Sequence, residues 1–154
     1  EHADIADRHR VLFAAAGFVP TPRAAIRDGD IRHQLEYETL ALTLGVRSAI
    51  AAAGNDVKAQ REIISAQASR AVALMRAALR IGGRPAGSDA NVVCRAAGEM
   101  AGFDHDPFLA ALRQRRGEGD ISKQGISAVV GGFHAGLAAL VRWIDEQGAD
   151  AGHQ

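Results

Sequence analysis

Residues 125–141 read GISAVVGGFHAGLAALV, with no Lys, Arg, Asp or Glu, and with Ser127 and His134 as their only polar side chains. At about 100° per residue, Ile126, Val130, Phe133, Leu137, Leu140 and Ile144 fall on one stripe, and Gly125, Gly132, Gly136 and Ala139 lie beside it. A helix that is apolar or small nearly all round belongs inside a fold. The spacing therefore predicts a final helix over residues 122–147, central and buried, with the rest of the chain packed around it.

The remaining sequence is punctuated for helices. Residues 2–16 form a candidate first helix, and Thr21-Pro22 reads as a cap followed by Pro at a helix's first position. Residues 31–53 carry Ile31, Leu35, Leu42, Val46 and Ile50 at helical spacing, and Gly54, Asn55 and Asp56 stop that helix and cap the next. Residues 57–81 run without Gly or Pro, with Val57, Ile64, Ala68, Ala71, Met75 and Leu79 on one side, before Gly82 and Gly83. Ser88 is read as the cap of a helix ending at Gly102, and Asp106-Pro107 as the start of another that stops at Gly117. Alternation of period two is missing beyond a few residues, so no sheet is predicted. The expected architecture is all-α: a single-domain antiparallel bundle of six or seven helices over 1–148, with a frayed tail at 149–154. Short connections favour antiparallel neighbours.

Composition narrows the function classes. The 154 residues are 47% hydrophobic but only 5% aromatic, and about a fifth are alanine, so the core is aliphatic and its helices pack closely. Lys and Arg number 18, as do Asp and Glu, giving a net charge of +0. That balance disfavours nucleic acid, whose binding needs a basic excess. Lys58 and Lys123 are the only lysines among the cations, a bias read as that of a GC-rich bacterial genome. The single cysteine, Cys94, rules out an internal disulfide and a multi-cysteine metal site, and it sits in an apolar run as a small buried residue. No secretory signal is read at the start, a membrane span is not expected, and the expected compartment is the cytoplasm.

Several constellations could carry chemistry. Ser127, His134, Ala138 and Asp145 form the one polar line on the final helix, roughly 80–120° from its apolar stripe. His134 could bind a ligand or move a proton, although a half-buried, hydrogen-bonded histidine is the ordinary explanation. Gly132 and Gly136 each weaken a helix by about 1 kcal/mol relative to Ala. A close approach must offset that: another helix of the same chain, a symmetric dimer contact, or a ligand on the bare backbone. Asp30, His33 and Glu36 recur at three-residue spacing, but the second Glu-x-x-His that a bundle metal site uses is missing, so surface pairing is expected. Asp104-His105-Asp106 precedes a helix, where capping accounts for Asp106. Arg113, Arg115 and Arg116 lie in the last turn of their helix, where cations meet the negative dipole end. With Arg80, Arg84 and Arg95 they are a candidate anion patch. The segment 82–88, GGRPAGS, ends at a helix start and could offer amides to an anion, but it follows a helix rather than a strand. Gly-x-Ser-x-Gly, the lysine phosphate loop and His-Glu-x-x-His do not occur.

The leading expectation is a non-catalytic helical interaction or small-ligand-binding domain, acting with a protein partner or as an oligomer, with no metal and no cofactor. The rival is a helical accessory or catalytic domain of an enzyme handling an anionic, phosphate- or nucleotide-like small molecule. It would use Arg95, Arg113 and Arg116 for the anion and His134, beside Ser127, for proton transfer.

Overall fold

The computed structural model describes residues 28–151 of the chain. Five helices account for its regular structure: α1 (Asp28–Ala53), α2 (Val57–Ile81), α3 (Ala90–Ala101), α4 (Asp106–Arg116) and α5 (Ile126–Ala151). Among the described residues there is no strand. Six or seven helices were expected for the chain; those over 2–16 and after Thr21-Pro22 lie outside the described residues, leaving the five.

The α1–α2 corner shows why the chain folds back so tightly. Gly54 closes α1 at φ +54°, a left-handed conformation that costs glycine little. Asp56 then caps α2, its carboxylate accepting from the amides of Lys58 at 2.9 Å and Ala59 at 3.1 Å. α1 therefore runs antiparallel to α2. Arg32 of α1 donates to the Gln147 carbonyl near the other end of α5 at 2.7 Å, so α1 is antiparallel to α5 as well. It follows that α2 and α5 run in the same direction. Trp143 of α5 accordingly lies over Gly82 at the end of α2, where an added Cβ would stand 3.1 Å from the indole and 2.9 Å from the Met100 sulfur.

α2 touches each of the other four helices. It buries Ile64, Ala68, Ala71, Val72, Met75, Ala78 and Leu79, all at three- and four-residue spacings. α1 contributes Leu35, Leu42 and Val46 to the same core, together with two buried threonines. Thr39 and Thr43 donate to the carbonyls four residues back, Leu35 and Thr39, each at 2.7 Å, so neither hydroxyl is buried without a partner.

The final helix is not buried all round, which corrects the expectation from its uncharged sequence. Ile126, Phe133, Gly136, Leu137, Ala139, Leu140 and Ile144 are buried, while Ser127, Ala128, Gly131 and Ala135 are exposed. Its outward residues are small rather than charged, so composition hid a face that water touches. The helix also begins later and ends later than expected. Ser122 accepts from the Gly125 amide with its hydroxyl at 3.0 Å and its carbonyl at 3.1 Å, holding 122–125 as a turn, and Gly148 does not interrupt the helix before Ala151.

The bare strip on α5 receives the start of α4. A Cβ at Gly132 would lie 2.5 Å from Pro107, and one at Gly136 would lie 2.5 Å from Phe108 and 3.1 Å from Phe103. Phe108 also packs on Phe103, ring centroids 5.5 Å apart, and on Phe133 at 4.5 Å. Three aromatic rings, Phe103, Phe108 and Phe133, are thus gathered where α4 crosses α5.

Candidate functional site

The residues singled out from sequence are scattered over separate elements. Ser127 is exposed on α5 and His134 is half-buried about two turns further along it, with no side-chain hydrogen bond among the described residues. Arg95 is exposed on α3, whereas Arg113 and Arg116 are exposed in the last turn of α4. Arg116 lies 3.8 Å from Glu118, and neighbouring Arg115 reaches the Ala66 carbonyl at 3.5 Å. These contacts tie the end of α4 to its own loop and to α2.

The 82–88 loop is not an amide cradle. The amides of Gly82, Gly83 and Arg84 donate to the carbonyls of Ala78, Arg80 and Leu79, closing α2. The loop's far end is held by Arg76, which donates to the carbonyls of Gly87 at 3.2 Å and Ser88 at 3.4 Å. Asp89, not Ser88, caps α3, accepting from the Asn91 amide at 2.8 Å. Similarly, Asp104 rather than Asp106 makes the capping turn before α4, accepting from the Asp106 amide at 3.0 Å. Side-chain ligand atoms of Asp104, His105 and Asp106 lie within 4.8 Å of one another. One Asp104 oxygen is already taken by that turn, and the local geometry is explained by the helix start.

Cys94 is fully buried between helices. Burial pushes its thiol from the ordinary value of 9.0 up to about 11; the Arg76 charge opposes the shift and Asp89 adds to it. Such a thiol is protonated at neutral pH and is a poor nucleophile.

Where residues do converge is the seam between α1 and α5. Arg32, His33 and Glu36 of α1 and Ile144 and Asp145 of α5 line an open cleft of about 370 Å³. His33 Nδ1 and Glu36 Oε2 are 4.0 Å apart, and Arg32 is engaged with the Gln147 carbonyl. Two carboxylates and an imidazole thus face a small space whose one guanidinium already has an acceptor. The polar line of α5 ends here, because Asp145 belongs to it. None of His134, Ser127, Arg95, Arg113 and Arg116 lines this cleft.

Beside the cleft the outer surface of α1 turns apolar. Tyr37 is 68% exposed, Leu40 45% and Leu44 55%. With His33, Arg47 and Ala51, all exposed, they form a line at alternating four- and three-residue spacings, the repeat of a helix seam that meets another helix. α1 therefore carries two seams: Leu35, Thr39, Leu42 and Val46 inward, and this second one outward. The reading of the sequence followed the inner seam and missed the outer one, although Tyr37, Leu40 and Leu44 carried the same periodic signal.

The chain matches no family model, and no curated protein or solved structure matches it.

Proposed function

We propose that this chain is a non-catalytic helical interaction domain, and that it meets another polypeptide through the outer side of α1 where it borders α5. The single observation that carries this reading is the exposed Tyr37–Leu40–Leu44 line on a helix whose opposite side is already fully used in the core. Isolated exposed leucines are ordinary, but three large apolar side chains in a row at heptad spacing make a patch that binding would cover. The cleft at the end of the line adds carboxylates for a basic group of the partner. An enzymatic reading has less support, since the candidate proton-transfer and anion-binding residues sit on three different helices and the buried thiol is protonated.

Replacing both Leu40 and Leu44 with Asp tests the proposal. Both positions face solvent, so helicity and melting temperature should stay close to those of the unaltered chain. Recovery of the chain in cross-linked complexes from living cells should fall to background. Undiminished complexes in the double variant would overturn the reading.

A further inference from the structure

We propose that the partner at this seam is a second copy of the chain, docked antiparallel so that α1 of one copy lies against α1 of the other about a two-fold axis level with Leu42. This rests on the interaction reading above and identifies its partner.

The argument is one of complementary ends. Along the outer seam the order is His33, Tyr37, Leu40, Leu44, Arg47, Ala51. The end near His33 is acidic on balance: exposed Asp30 adds to Glu36 and Asp145, which outnumber Arg32 in a cleft of about 370 Å³. The opposite end presents Arg47, an exposed guanidinium with no ion-pair partner among the described residues. Antiparallel docking sets Leu40 on Leu44 of the second copy. It brings Arg47 level with Tyr37 of that copy, beside the Glu36–Asp145 cleft, twice per dimer. A guanidinium there meets carboxylates and the face of an aromatic ring together. Parallel docking would instead oppose Arg47 to Arg47 and cleft to cleft, a like-charge arrangement that disfavours it. A closed two-fold contact also uses one patch on both copies, which is what a patch complementary to itself allows.

The seam is short. From His33 to Ala51 a helix extends roughly 27 Å at 1.5 Å per residue, and an interface of that length falls at the small end of specific contacts. The expected dimer is accordingly weak, with Kd on the order of 10–100 µM, and sensitive to salt because charge sets its register.

Sedimentation equilibrium on the full chain across that concentration range tests it. The unaltered chain should pass from monomer to dimer. Leu44→Asp should weaken association at least tenfold, and Arg47→Glu or Glu36→Arg roughly tenfold. The Arg47→Glu/Glu36→Arg double variant should recover most of the affinity, since the exchange restores the pairing at both ends. A strict monomer at the highest concentration, a dimer indifferent to Leu44→Asp, or a double variant no better than the singles would overturn the proposal. A photo-reactive residue at Leu44, activated in cells, separates the two levels of inference. A covalent adduct between two copies supports this dimer. An adduct with a different protein, or with residues 1–27 of the same copy, overturns the dimer. The adduct with a different protein leaves the interaction reading standing, and the absence of any intermolecular adduct removes both.

Discussion

Two glycines of the same helix type should respond oppositely to the same substitution. Gly136 faces Phe108 and Phe103 so closely that a Cβ would stand 2.5 Å from one ring, while Gly45 has nothing within 4 Å of its would-be Cβ. Gly136→Ala must push a fully buried Phe108 out of place, and overpacking of this kind costs about 1–3 kcal/mol. Gly45→Ala removes only backbone freedom from the unfolded chain and should add about 0.5–1 kcal/mol. Chemical denaturation of both variants checks the pair, and equal signs would contradict the packing described. Cys94 gives a pH-dependent counterpart. Its folded thiol titrates near 11 against an ordinary 9.0, chiefly because it is buried. Below pH 9 both states hold the proton and the thiol's contribution to stability is intact. As pH rises toward 11 the unfolded chain ionises first, so stability is lost, by up to roughly 2–3 kcal/mol at 1.36 kcal/mol per unit. The unaltered chain should therefore lose stability between pH 8.5 and 10.5 more steeply than Cys94→Ala.

Helix ends were legible wherever a local rule determines them. Gly54, Gly102 and Gly117 end α1, α3 and α4 in left-handed conformations, and each is recognisable as a helix stop in the sequence. Asp56 was legible as a cap for the same reason, and Asp56→Ala should cost about 1 kcal/mol by orphaning the amides of Lys58 and Ala59, read as a shift in the denaturation midpoint. The start of α5 was not legible, because Ser122 can cap a helix or close a turn and only the built backbone distinguishes the two. The outer seam of α1 failed for a different reason. Two seams with the same 3–4 spacing share one helix, and which faces the bundle depends on where α2 and α5 lie. Arg32 and Asp145 meet in one cleft although more than a hundred residues separate them, a juxtaposition made by antiparallel packing of α1 on α5 and by nothing local.

At the scale of the whole molecule, α5 decides what medium the bundle tolerates. It is the helix among the described residues long and apolar enough to cross a membrane by length and composition, over Ile126–Gln147, and a third of that stretch is buried inside the protein. Its large side chains, Phe133, Leu137, Leu140 and Ile144, point into the protein core. The outward side is Ser127, Ala128, Gly131 and Ala135, with Arg142, Asp145 and Glu146 following. A helix meeting lipid would place its bulky residues outward, because small residues gain little by leaving water. Ala135→Lys discriminates the two settings. In water, a lysine at this exposed position near the middle of the helix should change stability by no more than about 0.5 kcal/mol. In a bilayer the same lysine at the helix centre would cost about 2.5–3.5 kcal/mol. The expected outcome is an unchanged melting curve and unchanged recovery of the variant without detergent. A variant that drops out of the aqueous fraction, or that requires detergent to remain folded, would show instead that the outer side of α5 meets lipid.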